Sequence, residues 1–185
     1  MTLAETIEFD YINTETKKLF NDFDCGHEGI NNFLFQKAEE FDKLGFGVTH
    51  LAIDTNKNKI VGFYTLRNSS LLYNLNSNNT IQNFGIRGMP SVEIYMFAVD
   101  VHYHSVKYNN KYNTSDFLML NVISNMDYVT EYSESKFLIL NSVEKAINFY
   151  IRNKFLPFDK NFMKYINDDK SINIDIPHPM YRKLI

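Results

Sequence analysis

Two residues of this chain have side chains suited to proton transfer and lie in segments with clear local patterns. Tyr150 falls on the apolar stripe of a predicted helix, and Glu93 opens a predicted strand. A phenol can donate a proton and a carboxylate can accept one. For Tyr150 the pattern alone favours a simpler interpretation, a core aromatic whose hydroxyl finds a partner. For Glu93 two interpretations stay open, a base and a strand-edge carboxylate without a chemical role.

The cysteine and the histidines give little support for other kinds of chemistry. Cys25 is the sole cysteine, so it cannot form an internal disulfide. As a nucleophile it has no neighbouring pattern beyond His27. We interpret it as a packing residue of a protein in a reducing compartment. His102 and His104 would share a strand face if the strand ran that far. Two ligands without a third make a weak site, so we predict no metal.

The composition predicts a packed globular protein. The chain has 185 residues, with 16 Phe, 12 Tyr and no Trp, which favours one domain over residues 1–185 with a sheet-and-helix core. No apolar run is long enough to span a membrane, and the first twenty residues lack the hydrophobic segment of a secretion signal. We therefore expect a cytoplasmic protein with no membrane partner. The net charge of -3 gives no general attraction to nucleic acid.

Hydrophobic periodicity predicts the elements of the N-terminal part. Residues 28–43 place apolar side chains at helical spacing, and Gly45 and Gly47 follow them. This pattern predicts an amphipathic helix lying on a sheet. Two β-rich runs, 48–54 and 59–66, are separated by a turn-prone linker, so we predict a hairpin there.

The middle of the chain alternates between polar and apolar segments. Residues 67–91 are rich in Asn, Ser and Gly, which predicts a long loop with a short helical turn near 70–75. A strand over 93–99 follows. Residues 102–114 then form a polar loop before a helix whose broad apolar face spans 117–129.

The C-terminal part predicts a second strand and helix. Residues 137–140 form a short buried strand, parallel to the preceding one if the usual strand-helix-strand connection holds. The pair 141–142 caps a helix over 143–151. Two weaker strand signals follow at 162–166 and 180–185, and the second is a plausible closing strand.

Three segments together resemble the core of the GNAT N-acetyltransferases. They are the strand sequence from Glu93 to Val99, the strand ending Val99-Asp100-x-x-Tyr103, and the helix exit Ala146-x-x-Phe149-Tyr150-x-x-x-x-Phe155. Lys154 stands where the family usually has glycine. Two upstream segments, 23–34 and 59–66, are similar to the amino-terminal half of a bacterial branch that includes the GNAT toxins of toxin-antitoxin pairs. The likeness spans about residues 20–165.

The resemblance implies a fold, a cofactor and site residues. The fold is α/β (α+β), with a central mixed and mostly antiparallel sheet, one splayed parallel strand pair, and flanking helices. The cofactor is acetyl-CoA, held between the two parallel strands and by the loop that follows the first. Tyr150 is implied as the general acid toward the thiolate and Glu93 as the candidate base. The implied cofactor-binding residues are Phe97, Ala98, Val99, His104, Ser105, Val106, Lys107, Tyr108, Asn109 and Asn141.

The loop departs from the family pattern. The pyrophosphate loop of GNAT enzymes reads Gln/Arg-x-x-Gly-x-Gly/Ala, and the matching positions, 104–109, contain no glycine. Loop glycines let backbone amides approach phosphate oxygens and tolerate positive φ. Asn109 or Asn110 could adopt the left-handed conformation instead, and Lys107 or Lys111 could supply positive charge.

The resemblance implies an acetyl-CoA-dependent N-acetyltransferase of bacterial type and leaves its acceptor open. A small-molecule amine, a protein amino group and an aminoacyl-tRNA are the three classes. The negative charge of the chain does not favour tRNA. The alternative is a non-catalytic GNAT-like binding or regulatory module that has lost CoA binding, which the missing glycines favour. The aromatic content is compatible with a homodimer. The sequence reveals no antitoxin partner.

Overall fold

Two long strands and a 20-residue helix dominate the structure, a computed structural model that describes residues 3–74, 86–109, 111–158 and 178–184. Within these ranges the strands are β1 (Ile7–Tyr11), β2 (Val48–Asp54), β3 (Lys59–Asn74), β4 (Ile86–Val99), β5 (Phe137–Ser142), β6 (Leu156–Pro157) and β7 (His178–Lys183). The α-helices are α1 (Glu28–Asn32), α2 (Ala38–Lys43), α3 (Thr114–Ser133) and α4 (Ile147–Arg152). None of the helices in these ranges combines the length and apolarity needed to cross a membrane.

The strands of the described chain form one seven-stranded sheet in the order β1-β2-β3-β4-β5-β7-β6. The pairs β1–β2, β2–β3, β5–β7 and β6–β7 are antiparallel. β4 and β5 pair in parallel from Ser91↔Phe137 to Glu93↔Ile139. β4 then continues to Val99. A mixed, mostly antiparallel sheet with a parallel pair and accompanying helices confirms the fold class that the resemblance implies.

The predicted helix over residues 28–43 is confirmed, but it contains a turn that the sequence did not predict. α1 runs into a π-helical turn over Phe33–Lys37, and α2 follows that turn. Gly45, with φ of 73°, lies just after the helix, where a residue without a Cβ adopts the left-handed conformation at little cost. The apolar face of this segment joins the core of its unit through Phe33, Leu34 and Ala38.

The loop predicted over 67–91 is wrong at both ends. β3 continues to Asn74 and β4 begins at Ile86, so both strands are longer than the sequence indicates. The helical turn predicted near 70–75 is also wrong where the structure describes it, because that segment belongs to β3. Residues 75–85 lie outside the described residues.

Close contact between the two long strands explains this error. Leu71 is buried although the polar pair Ser69-Ser70 precedes it in the sequence. A Cβ atom on Gly88 of β4 would collide with the side chain of Ser70 on β3. Pairing between strands therefore outweighs the weak β-propensity of Asn, Ser and Gly, on which the loop prediction rested.

The helix predicted after β5 is present but begins later than expected. Asn141 and Ser142 belong to β5, where they pair with Pro179 and His178 of β7. The predicted helix cap at 141–142 is therefore wrong, because backbone pairing with β7 holds these residues in the strand. A 3-10 turn over Glu144–Ala146 precedes α4 instead.

The closing strand is confirmed, since β7 covers most of the predicted segment 180–185. The other predicted C-terminal strand, 162–166, lies outside the described residues. Several short elements of the described chain had no counterpart among the sequence predictions, including β1, β6 and a 3-10 helix over Thr16–Asp22. They are short, and short elements carry little periodic signal.

The contacts of the described residues group them into two compact units. The first comprises those within Met1–Arg67 and Tyr95–Asn125, and the second those within Asn68–Ile94 and Met126–Ile185. The core of the first unit includes Phe20, Phe23, Phe33, Leu34, Leu51, Phe63 and Ala98. Buried side chains of the second unit include Val92, Leu138, Tyr150, Phe155 and Met180.

Candidate active site

Gly62 of β3 lies against the end of β4, and this contact orients the peptide after Ala98. A Cβ atom on Gly62 would lie 2.6 Å from the carbonyl oxygen of Ala98 and 3.3 Å from Cα of Val99. The Ala98 carbonyl therefore points toward β3. The C=O and N–H of a trans peptide point in opposite directions, so the N–H of Val99 points away from β3. The resemblance to the GNAT enzymes implies that a backbone amide near Ala98 or Val99 polarises the thioester carbonyl.

The following peptide is fixed from both sides. The N–H of Asp100 donates to the carbonyl of Val61 on β3 over 2.9 Å, so the Val99 carbonyl also points away from β3. There, Nε2 of the His104 ring lies 2.9 Å from the Val99 oxygen. A carbonyl oxygen can only accept, so Nε2 of His104 carries the hydrogen. Val99 thus presents its N–H and C=O on one edge of β4, and His104 covers the C=O.

Asp100 anchors the chain where it leaves β4. Its buried carboxylate accepts hydrogen bonds from the N–H of Asp24 at 2.9 Å and from the N–H and ring Nδ1 of His102 at 2.9 and 2.8 Å. These donors offset the cost of burying the carboxylate. His102 and His104 lie in and just after a 3-10 turn, so they do not share a strand face. The described residues contain no group of three side chains that could hold a metal ion.

Side chains tie the glycine-free loop to the start of α3. The carbonyl of Val106 accepts hydrogen bonds from the N–H and the hydroxyl of Thr114, at 3.2 and 2.8 Å. The ring of Tyr108 stacks on the ring of Phe117, with centroids 3.5 Å apart and planes 6° from parallel. The loop therefore has a defined path without the conformational freedom of glycine.

Asn109 contributes through its side chain rather than through a left-handed backbone. Its Oδ1 accepts hydrogen bonds from the N–H groups of Lys111 and Tyr112, at 2.8 and 2.9 Å. This is the local bonding by which Asn stabilises turns. Asn109 is not among the non-glycine residues with positive φ in the described chain, so the left-handed conformation considered for it is wrong. Asn110 lies outside the described residues.

Two amides of the loop remain available to an external acceptor. The N–H groups of Ser105 and Lys107 make no hydrogen bond with any part of the chain that the structure describes. Ser105, Lys107 and His104 are exposed, whereas Val106 and Tyr108 are half-buried. The loop thus combines two exposed residues, whose amides have no hydrogen-bond partner among the described residues, with the ammonium group of Lys107.

Tyr150 is buried on α4, as the helical stripe predicted, with 8% of the residue exposed. Its ring centroid lies 5.1 Å from that of Phe149 and 5.6 Å from that of Phe155. Burial raises the pKa of the Tyr150 phenol, because an apolar environment disfavours the phenolate. Tyr150 therefore keeps its proton at neutral pH.

The remaining predicted site residues lie on β4 and β5. Glu93 is buried on β4 and is in register with Ile139 of β5. A carboxylate is rarely buried in a strand without a specific environment, and this burial is compatible with a base and with a carboxylate that has no chemical role. Phe97 is half-buried near the end of β4, and Asn141 is exposed on β5 opposite Pro179.

Two backbone positions of the site were missed at the sequence level. Gly62 makes room for the Ala98 carbonyl, and Val61 receives the Asp100 N–H. An isolated glycine within a predicted strand often marks a close backbone approach, so Gly62 carried a usable signal. Val61 acts through its backbone carbonyl, and its side chain gives no signal of this role.

A second buried tyrosine, Tyr64 of the first unit, has a structural role. Its hydroxyl donates to Oδ1 of Asn121 at 2.6 Å and accepts from Nδ2 of Asn125 at 2.8 Å. Both amides belong to α3, so the hydroxyl links β3 to α3. Burial raises the pKa of the Tyr64 phenol as well. Tyr64 therefore offers a comparison for Tyr150 with the same chemistry and a known set of partners.

No family profile matches the sequence, and no protein of curated function matches it. The fold does match solved structures of bacterial toxins. The structure of AtaTR bound with acetyl-CoA has a TM-score of 0.72 at 17% identity, over 97% of this chain and 94% of that one. A KacT variant with a tyrosine replaced by phenylalanine has a TM-score of 0.71 at 15% identity, over 96% and 95%. AtaT complexed with acetyl-methionyl-tRNAfMet has a TM-score of 0.66 at 19% identity, over 85% and 94%. The chain therefore shares the fold of these proteins, and likeness at such identities shows the fold alone.

Proposed function

We propose that this chain, which has the fold of the GNAT toxins KacT and AtaT, is an N-acetyltransferase that moves the acetyl group of acetyl-CoA to a primary amine. Residues 1–185 would form a single domain with this activity. The observation that carries the proposal is the orientation of Val99. Contacts with Gly62 and Val61 leave its N–H pointing away from β3, at the strand end where the resemblance requires an amide.

The residues present fit acetyl-CoA although the loop lacks glycine. The N–H groups of Ser105 and Lys107 are available to phosphate oxygens. Thr114 fixes the loop at the first residue of α3, and the N-terminus of a helix favours a phosphate anion. The Lys107 ammonium adds positive charge. We propose these residues as cofactor-binding: Phe97, Ala98, Val99, His104, Ser105, Val106, Lys107, Tyr108, Asn109 and Asn141.

The chemistry divides among three groups of this chain. Acetyl-CoA supplies an activated acetyl group on its thioester, so a C–N bond forms to the amine as the C–S bond breaks and its electron pair goes to sulfur. The N–H of Val99 donates to the carbonyl oxygen as negative charge develops there. Tyr150 gives its phenolic proton to the departing sulfur and recovers a proton from solvent. Glu93 takes the proton that the amine nitrogen loses, directly or through a water.

The raised pKa of Tyr150 keeps the phenol protonated and able to donate, but it also makes the phenol a weaker acid. An alkyl thiol has an ordinary pKa of about 8.5, below that of a phenol, so proton transfer from Tyr150 to a free thiolate is uphill by itself. A hydrogen bond from the phenol still stabilises the sulfur while the C–S bond breaks. The complete acetyl transfer is nevertheless downhill, because the nitrogen releases a proton when the amide forms.

The acceptor is a primary amine, and the three classes predicted from the sequence all fit this proposal. AtaT has been solved with acetyl-methionyl-tRNAfMet, which makes aminoacyl-tRNA one class to test. The net charge of -3 does not by itself attract a polyanion. A small-molecule amine or a protein amino group has no such electrostatic requirement. An antitoxin partner belongs to the same proposal, because an AtaT variant has been solved bound to the C-terminus of the antitoxin AtaR. A homodimer belongs to it as well, because the aromatic content is compatible with one.

A second candidate is a non-catalytic GNAT-like module that no longer binds CoA. The observation that favours it is the absence of glycine at 104–109, together with the internal hydrogen bonds that occupy much of the loop. Such a module would keep the fold and lose the cofactor. Binding of acetyl-CoA separates the two candidates.

The test of the proposed function is transfer of label from radiolabelled acetyl-CoA to three acceptors: total aminoacyl-tRNA, polylysine and spermidine. Label on one of them, lost in Tyr150→Phe and retained in Tyr64→Phe, is the expected result. Tyr64 is the matched control because it is another buried tyrosine. The absence of label on all three, from a protein that also fails to bind acetyl-CoA, would favour the non-catalytic module.

A further inference from the structure

Val99 presents two backbone groups on the same edge of β4, and they have opposite electrostatic effects on the proposed reaction. Its N–H is the amide proposed to meet the thioester oxygen. Its C=O, which also points away from β3, carries a partial negative charge. The ring of His104 donates a hydrogen bond to this C=O from Nε2 over 2.9 Å. An exposed side chain in the loop therefore reaches back to the strand end where the chemistry is proposed.

The hydrogen bond changes the field at the reacting oxygen. An uncovered carbonyl beside the Val99 N–H would repel the negative charge that develops on the thioester oxygen, and this repulsion would raise the barrier. Donation from His104 offsets that partial charge. The Asp100 N–H of the same peptide is bonded to Val61, so both ends of the peptide are held, and hydrogen bonds on its two ends strengthen each other.

We propose that His104 is a positioning residue for acetyl transfer, which acts by covering the Val99 carbonyl next to the amide that polarises the thioester. This inference rests on the proposed function. It assigns His104 an effect on the rate of transfer in addition to its proposed place among the cofactor-binding residues. A loop tether alone would change CoA affinity, whereas an electrostatic effect on charge that develops during the reaction changes kcat.

Three substitutions separate these roles. His104→Ala removes the donor. His104→Gln restores one, because the glutamine amide nitrogen is the same number of bonds from Cα as Nε2 of histidine. His104→Glu offers only acceptors, which would repel the Val99 carbonyl. His102→Ala is the matched control, because His102 is a neighbouring exposed histidine whose ring bonds to Asp100 instead of a β4 carbonyl.

Each variant is compared with the wild type by kcat and KM, using radiolabelled acetyl-CoA and the fastest of the three acceptors, and by calorimetric titration with CoA. We expect His104→Ala to lower kcat about tenfold, which corresponds to about 1.4 kcal/mol, and to weaken CoA binding by a smaller factor, because His104 also belongs to the proposed cofactor loop. His104→Gln should recover most of that loss, and His104→Glu should be the slowest. His102→Ala should keep a wild-type kcat.

Several results would overturn the inference and leave the proposed function standing. They are a normal kcat in His104→Ala, a glutamine variant no faster than the alanine variant, and a loss confined to CoA affinity. A loss in His102→Ala equal to that in His104→Ala would also overturn it, since loop integrity would then explain both. A wild-type protein that neither binds CoA nor transfers acetyl would instead overturn the proposed function, and this inference with it.

A second measurement does not depend on turnover. Long-range proton–nitrogen NMR of the histidine rings distinguishes the two neutral tautomers. The hydrogen bond to Val99 requires a hydrogen on Nε2 of His104, so we expect the Nε2–H tautomer in the neutral ring. A neutral His104 with its hydrogen on Nδ1 would overturn the inference whatever the activity of the protein.

Discussion

The N–H of Phe155 donates to the carbonyl oxygen of Tyr150 over 3.0 Å, and the centroids of their rings lie 5.6 Å apart. The N–H of Lys154 donates to the carbonyl of Ile151 at 2.9 Å, and Lys154 has φ of 65°. Two such bonds around a left-handed residue, with an apolar contact across them, make a Schellman motif. This motif ends α4 and fixes the backbone of Tyr150 in its last turn.

Replacing Lys154 by glycine is expected to stabilise the protein. A side chain costs about 1–2 kcal/mol in the left-handed region, and the greater entropy of glycine in the unfolded chain takes back about 0.5–1 kcal/mol. A net gain of up to about 1 kcal/mol should raise Tm by about 2–4 °C for a chain of this size. Thermal unfolding of the wild type and the glycine variant measures this change in Tm. Lys154→Ala keeps the strain and serves as the control, and a glycine variant that melts below the alanine variant would contradict the motif.

Tyr150→Phe should lower kcat on the order of a hundredfold, since removal of a general acid typically costs that much. Tm should change little, because the ring and its contacts with Phe149 and Phe155 remain. Tyr64→Phe should behave in the opposite way. It leaves the amides of Asn121 and Asn125 without the hydroxyl between them, which costs about 1–3 kcal/mol of stability. Equal activity in Tyr150→Phe and wild type would remove Tyr150 from the mechanism.

Glu93→Gln tests the proposed base through the pH dependence of the rate. A base that must be ionised gives a pH–rate profile that falls on its acidic side, and the amide cannot titrate. We expect the glutamine variant to lose this acidic limb and to be slower across the range. The profile of kcat/KM from pH 5 to 9 is the measurement, since it reports the ionisations of the free enzyme. An unaltered profile would leave Glu93 as a buried structural carboxylate.

Gly62→Ala should displace the end of β4. The added Cβ would lie 2.6 Å from the Ala98 oxygen, which is backbone and cannot turn aside as a side chain could. We expect a loss of about 1–3 kcal/mol in stability together with a lower kcat, because the Val99 amide moves with the strand. Gly45→Ala is the matched control. Its φ of 73° makes alanine costly, but no atom lies within 4 Å of the added Cβ. A normal kcat in Gly62→Ala would contradict the assigned role of Val99.

Cys25 should react slowly in the folded protein. Burial raises the pKa of its thiol, so less thiolate is present at pH 8 than for a free cysteine, and the thiolate is the nucleophile. A raised thiol pKa means that the folded state holds its proton more tightly, so this contribution to stability is present below the unfolded pKa and is lost as pH rises through the folded pKa. The rate at which iodoacetamide alkylates Cys25, followed by mass spectrometry, is measured for the folded protein and for the protein unfolded in urea. Equal rates in both states would contradict the burial.

The sequence predicted the elements whose periodicity is strong and missed those that depend on partners far along the chain. The helix over 28–43 and β2 carry their patterns in their own residues. The strand segments 68–74 and 86–91 do not, because their Asn, Ser and Gly residues become strand residues only through pairing between β3 and β4. Asn141 shows the same limit, since its pairing with Pro179 of β7 outweighs its preference for a helix cap.

The candidate site also contains residues that the sequence could indicate and backbone groups that it could not. Tyr150 and Glu93 could be singled out because their side chains would do the chemistry, and the family resemblance named them. The orientation of Val99 depends on the carbonyls of Val61 and Ala98, which have no sequence signature. Lys154 illustrates an intermediate case, because it stands where the family pattern has glycine, the residue that adopts a positive φ most readily, and the structure gives Lys154 a φ of 65°.

Calorimetric titration of the wild-type protein with acetyl-CoA tests the central claim most directly. The account predicts one-to-one binding in the micromolar range, through the amides of Ser105 and Lys107 and the end of β4. It also predicts weaker binding by Gly62→Ala than by Gly45→Ala. The absence of any heat of binding at millimolar acetyl-CoA, from a protein with a cooperative unfolding transition, would contradict the claim that this glycine-free loop still holds the acetyl donor.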